Sequence, residues 1–492
     1  MRIHLHSATL GFLLLGILIS FPLNISAAPQ KYLKNCFDNQ VMPLGGRYLC
    51  LTFNESANVL GHDFEPWKQT NYLYTGKVWC DANDFLKSDT LNGKSKAYYS
   101  KTQFDKSTLL FQDYGDDSLY PATLNMYTDY ILQTARYTPI LLINYFYRIF
   151  PAPEAQSDTS IAVYKLTLHK TVVKLFIRKQ NSLLEKAVMM YNDDMLGDIE
   201  NTYSYRGYSE IKRLFYPAVV AIDKIGNKVH DEIRISSGLV IANPPALLNK
   251  PPGYSLKDDP ETTPEISTEK YNDNIYFVNL KHTESKSAIV VFKDFLMVIE
   301  APLGSANGEL IINEARKIAP DKPIRYFAFG HHHSWYLGGV RPFIHIGATI
   351  LSVKDDLPYV EYIASAEHTL LPDSLQLQPV PLKTEEIGMN KTITDGDDTL
   401  EIYFIGEKSA HTNDYLVFYF PKEKLLLEGD LIWIPLAGEM KKANKRQAGL
   451  YNAIKDLGIE VDTIIQHWPI GDNYGVKSVI PFSELEESVN IK

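Results

Sequence analysis

The stretch FAFGHHHSWYLGGVRPF, residues 327–343, sets three histidines after an apolar run and before two glycines. Further along, His411 lies between the runs LEIYFIG and YLVFYF, Asp430 closes KLLLEGD, and His467 closes DTIIQH. Eight of the thirteen histidines come after residue 280, so the potential ligands concentrate in the second half. Imidazole nitrogens and carboxylate oxygens are good zinc ligands, and histidines two apart can share one ion where the loop between them curls. Each residue also has a plainer reading. A lone His411 or His467 fits a hydrogen-bonded surface histidine, Asp430 after glycine fits a turn or cap, and the triplet fits a solvated loop. Position sets the group apart: each member follows a predicted strand. Polar groups at strand ends of a layered α/β domain can converge on one rim.

IRYFAF is a buried strand running directly into the histidines, and AIVVF and FLMVIEAP flank Lys293-Asp294 as a hairpin. GELIINEARKIAPD has helical periodicity, as does the stretch around NKRQAGLYNAIKDLG. LEIYFIG, YLVFYF, KLLLEGD and DTIIQH are strands, which gives a sheet core covered by helices. Upstream, SIAVYKLTL, VVKLFIRK and LLEKAVMMY are short strands, and 120–137 is helical. Most of the 31 tyrosines precede residue 280, and tyrosine favours half-buried strands, so residues 29–242 read as a β-rich first domain. Six prolines in 243–267 oppose helix and sheet alike. The expectation is a linker over 243–270 and a second domain over 271–492. No internal repeat is visible.

A length of 492 residues exceeds what one compact core usually holds, and so agrees with two domains. A net charge of −10 without a basic stripe speaks against nucleic acid as a partner. Arg2, the run LGFLLLGILISFPL and the small residues Ser26, Ala27 and Ala28 read as an export signal over 1–28, with an uncleaved anchor as the alternative. The run falls short of the ~20 residues that span a bilayer, so cleavage and a periplasmic or extracellular location are expected. No other membrane-spanning stretch is seen. Of Cys36, Cys50 and Cys80, two can pair in an oxidising compartment and leave one over.

GHHHSWYLGG, SAHTNDYLVFYFPKEKLLLEGDL and IIQHWPIGD, in that order, resemble the metallo-β-lactamase superfamily. Its signature is H-x-H-x-D-H before a glycine pair, then a downstream His, an Asp after Gly, and a final His. VVFKDFLMVIEAPLG resembles the opening hairpin of that fold, and the likeness covers about residues 271–475. It implies an αββα sandwich with its metal site on the rim between two sheets, an α+β protein overall. MLGDIENTYSYRGYSEIKRLFYPAVV bears a weaker likeness to the lipoprotein-carrier-like region that precedes this fold in some exported members.

The resemblance assigns His331, His333 and His411 to a first metal, Asp430 to a bridge between two metals, and His467 to the second. It also exposes a departure. Trp335 stands at the family's Asp and Tyr336 at its next His, so the second-metal half is degenerate. Three neutral imidazoles leave one open position on zinc, where water can ionise near neutral pH. That suffices for attack on an ester, lactone, thioester or phosphoryl centre of a small-molecule substrate. Asp430 can hold the water or accept its proton, Tyr336 can donate to an oxyanion or simply pack, and Trp335 can fill the second-metal space. His332 reads as pointing away from the ion, while His345 and His368 are possible substitute ligands. One zinc ion is expected rather than two. Two other readings stand beside the hydrolase: a non-catalytic binding protein, favoured by the aromatic pair at the rim, and iron–oxygen chemistry on His331, His411 and Asp430.

Overall fold

The computed structural model describes residues 30–491, apart from 61–63, 93–96, 106–107, 114–115, 121, 246–247, 251, 255–257 and 259–262. The expected export signal lies outside the described residues. Among the described residues no helix is long and apolar enough to cross a membrane.

The first unit is built on one antiparallel sheet. Its two middle strands, Tyr48–Leu60 and Val229–Ile241, pair with Tyr48 opposite Ile241. Gln69–Cys80 and four further strands extend it on one side; Val219–Lys224 and four more, ending at Ile161–Leu168, extend it on the other. In Thr171–Arg178 buried and half-buried residues alternate strictly, as a strand with one covered face requires. The cover is three helices, Lys31–Gln40, Leu124–Thr134 and Ile140–Ile149. Their Leu33, Ile131, Leu142 and Phe146 pack on Leu51, Phe53, Val78 and Leu175 of the sheet. Each such burial stabilises by about 1.5–3 kcal/mol.

The expected cysteine pair does not form: all three are free thiols. Leu49, not Cys50, is opposite Cys80. That offset of one residue turns Cys80 to the core and Cys50 to the other face.

The second unit has two facing sheets. The first runs Ile266–Lys270, Ile275–Leu280, Ser285–Val291, Leu296–Ile299, Ile324–Ala328, Thr349–Ser352, Lys383–Glu386 in spatial order, antiparallel up to Leu296–Ile299 and parallel thereafter. The second runs Asn390–Thr394, Thr399–Phe404, Leu416–Phe420, Leu425–Glu428, Thr463–Gln466, Val479–Pro481. Met297, Ile299, Ala328 and Leu351 meet Ile402, Leu416, Phe418 and Leu427 between them. Ser305–Ile318 and Leu357–Ser365 cover the first sheet, and Lys445–Leu457 and Phe482–Asn490 the second, giving helix, sheet, sheet, helix. The last five residues of the expected linker, 266–270, form an edge strand instead. The prolines stop at Pro264, so these residues can donate to the sheet.

The units are docked. Met195, Leu196 and Ile199 of the first unit belong to the core under Ser305–Ile318. Asp198 donates its N–H to the Glu367 carbonyl at 2.6 Å and accepts from the Thr369 N–H at 2.7 Å. The Trp67 ring sits edge-on to Tyr359 and Tyr362, at 5.0 and 4.8 Å between centroids, with the Lys228 ammonium 4.4 Å from its own centroid.

Candidate metal centre

His331 and His333 lie on the turn that follows the parallel strand Ile324–Ala328, which aims the chain at the rim between the sheets. The segment after Leu296–Ile299 and the helix Ser305–Ile318 brace this turn. Gly339 donates to the Ala301 carbonyl at 2.9 Å, and Gly308 of Ser305–Ile318 packs on Gly339 closely enough that a Cβ there would collide with the Gly339 carbonyl. His411 is held by Ser409, whose hydroxyl accepts from the His411 and Thr412 N–H groups at 3.1 and 3.2 Å. Asp430 follows Leu425–Glu428, and its N–H donates to the Tyr415 hydroxyl at 3.0 Å.

These residues converge. One ligand atom from each of His331, His333 and His411 lies within 4.8 Å of the other two, and all three residues are buried. Nε2 of His331 and Nδ1 of His333 are 3.1 Å apart. Nitrogens on a tetrahedron of zinc-bond radius stand ~3.3 Å apart, so this edge matches. Burial, then the neighbouring His333 and His411, hold His331 well below the usual imidazole value, so it is neutral, the form that binds metal. Among the described residues its Nδ1 has no hydrogen-bond partner. Asp430 reaches the same space, with Oδ2 3.1 Å from Nε2 of His411 and Oδ1 4.0 Å from Nε2 of His331. The donor set fits a divalent ion of the zinc type.

His467, Trp335 and Tyr336, the residues of the expected second-metal half, are not part of the three-histidine group. His467 is buried but lies outside the three-histidine cluster, with Nδ1 in a short hydrogen bond to Oε2 of Glu300. Trp335 packs against Trp468, the residue after His467, at 5.7 Å. Tyr336 is buried with its ring centroid 4.1 Å from that of His331. Its phenol is raised well above the usual value by burial first and then by Asp430, Glu300 and Glu428, so it keeps its proton among three carboxylates. Nδ1 of His345 is 3.1 Å from the Gln378 carbonyl oxygen, and His368 lines a separate cavity beside Asp373. Neither joins the cluster.

Several functional neighbours escaped the sequence reading. Arg446, second residue of Lys445–Leu457, brings Nη1 to 3.3 Å from Oδ2 of Asp430 and gives the site a fixed cation. Glu300 and Glu428 end apolar strands, and that polar terminus is the signal that could have marked them. Glu300 holds a left-handed backbone, φ 65°, as its strand ends. Burial pushes the Glu428 carboxyl up to about 8. The first unit reaches the site: a cavity of about 400 Å³ beside His333 and Trp335 is walled by its Leu60, Trp67, Met195 and Leu196. The turn carrying Trp67 is tied down where Asn413 donates to the Phe64 carbonyl at 2.7 Å.

A helix-flanked sandwich of two sheets with three rim histidines is the arrangement of the metallo-β-lactamase superfamily, and the resemblance read from the motifs holds. In sequence the chain is similar to a metallo-beta-lactamase type 2 from Elizabethkingia meningoseptica, 27% identical over 180 residues. That match takes in 35% of this chain and spans 64% of the relative's length. Among solved structures it is similar to a metallo-beta-lactamase from Pontibacter korlensis, with 16% identity, 46% of this chain and 97% of the other, and a TM-score of 0.34. Another is the metallo-beta-lactamase FIM-1 from Pseudomonas aeruginosa in its mono-zinc form, with 17% identity, 47% and 95% coverage, and a TM-score of 0.33. No family model matches the chain.

Proposed function

We propose that this protein is an exported metal-dependent hydrolase working with one zinc ion on a small substrate with an ester-, lactone-, thioester- or phosphoester-type centre. The observation that carries the reading is the convergence of His331, His333 and His411. Zinc held there supplies Lewis acidity and water that ionises near neutral pH. Asp430, within 4.0 Å of both His331 and His411, orients the attacking water and takes its proton. Arg446 balances the Asp430 charge, a task that falls to it because Trp335 and Tyr336 leave no second set of ligands. The cavity beside His333 favours a substrate with an apolar body, since Leu60, Trp67, Met195, Leu196 and Trp335 line it. Metal analysis of tag-free protein supplied with zinc, alongside the double variant His331→Ala/His411→Ala, tests the reading. Binding at this site, lost in the double variant together with esterase or lactonase activity, is the expected result. No zinc bound at these histidines would refute it. Bound iron with oxygen consumption would move the chemistry to the oxygenase class, and physiological function untouched by the double variant would move the protein to the binding class.

A further inference from the structure

His332 turns away from the three-histidine cluster and ends in another group. Its N–H donates to Oδ2 of Asp414 at 2.7 Å, and its Nδ1 stands 3.0 Å from the same oxygen. Asp356 meets Asp414 carboxyl to carboxyl. One ligand atom from each of His332, Asp356 and Asp414 lies within 4.8 Å of the other two. The carboxylates are 1% and 4% exposed, and among the described residues Oδ1 of each has no hydrogen-bond partner. Asp356 is also the N-cap of the helix Leu357–Ser365, where an aspartate ordinarily accepts a helix N–H, yet its side chain makes no such bond. Among the described residues neither carboxylate pairs with a lysine or arginine, and Lys408 nearby is paired with Asp456.

Two facing buried carboxylates need compensation, by a proton or by a cation. A shared proton would satisfy the inner oxygens and leave both Oδ1 atoms as they stand. A divalent ion would engage them. An access path exists: Asp356 and Asp414 line a cavity of about 820 Å³, which can also supply water to complete a coordination shell. We infer that His332, Asp356 and Asp414 form a second divalent-cation site, separate from the three-histidine cluster and suited to a first-row ion such as zinc or manganese. One imidazole and two carboxylates suit this borderline range. Its role is to position. His332 lies between His331 and His333, and Asp414 is three residues from His411, so the ion ties together the two loops that carry the cluster.

Zinc content after equilibrium dialysis of the full chain tests this, with Asp356→Asn and His331→Ala/His411→Ala alongside. The Asn amide can donate to Asp414 and so mimics a shared proton while removing a charged ligand. The expected result is two equivalents in the wild type and one in each variant. A zinc content and Tm unchanged by Asp356→Asn would show a proton-sharing pair and overturn the inference. If Asp356→Asn does not fold, zinc titration of His331→Ala/His411→Ala decides: a Tm rise saturating at one equivalent supports the site, and no shift overturns it.

Discussion

Arg341→Met probes how firmly the histidine turn is held. Arg341 follows Gly338 and Gly339 closely and begins the short helix Arg341–His345. The residue is 1% exposed. Its Nε donates to Oδ2 of Asp373 at 2.6 Å and its Nη2 to Oδ1 at 3.1 Å. Its Nη1 donates to the Ile363, Ala364 and Ala366 carbonyls at 2.7, 3.2 and 3.1 Å. Methionine keeps much of the stem and removes every one of these bonds. Removing one partner of a buried pair typically costs about 3–5 kcal/mol, because the other charge is stranded. The Asp373 carboxyl supports that scale. Burial opposes its ionisation, but Arg341, Ser305 and the Gln376 N–H outweigh burial and bring it from 3.8 to about 2. Taken at face value that fall is worth ~2 kcal/mol, reduced to ~1–2 kcal/mol by solvent at the partly open rim. The stranded carbonyls supply the remainder. Because the folded value lies below the unfolded one, this stabilisation is complete above about pH 5 and fades as pH falls through about 4 toward 2. Denaturant unfolding of the second unit, followed by tryptophan fluorescence, measures it. Wild type should exceed Arg341→Met by ~3–5 kcal/mol at pH 7, and by ~1 kcal/mol less at pH 2.5. Other titrating groups are common to both proteins and cancel. Equal stability at pH 7, or a gap that widens on acidification, would refute the reasoning.

Asp430→Asn should keep the histidine-bound metal while lowering kcat by ~10²–10⁴-fold, the usual contribution of a positioned proton acceptor; steady-state kinetics with metal analysis checks both. Gly308→Ala should destabilise by ~1–3 kcal/mol, read as a lower Tm, although alanine is the better helix former, because its Cβ would drive Ser305–Ile318 off Gly339. Trp67→Ala should raise KM several-fold with little change in kcat, since Trp67 walls the cavity and is no ligand. It should also quicken proteolysis between the units, by removing the ring from between Tyr359, Tyr362 and Lys228.

The sequence by itself determined the second unit's order of elements and its three histidines. Alternating and helical periodicities carry local structure, so IRYFAF, YLVFYF, KLLLEGD and DTIIQH read correctly as strands and GELIINEARKI as helix. An ordered motif then tied His331, His333 and His411 together across about eighty residues, and the structure brings them within one ion's reach. Contacts without periodicity or motif were left to the tertiary structure. Arg446 reaches Asp430 only because Lys445–Leu457 packs over the second sheet. Glu300 takes His467 because two strands from different sheets end side by side. Asp356 meets Asp414 from a helix start whose sequence promises a cap. Trp67 becomes a wall of the site only through the docking of one unit on the other. Periodicity reports which face of an element is buried; which neighbour does the burying is fixed by long-range packing, and no local pattern in the chain encodes it.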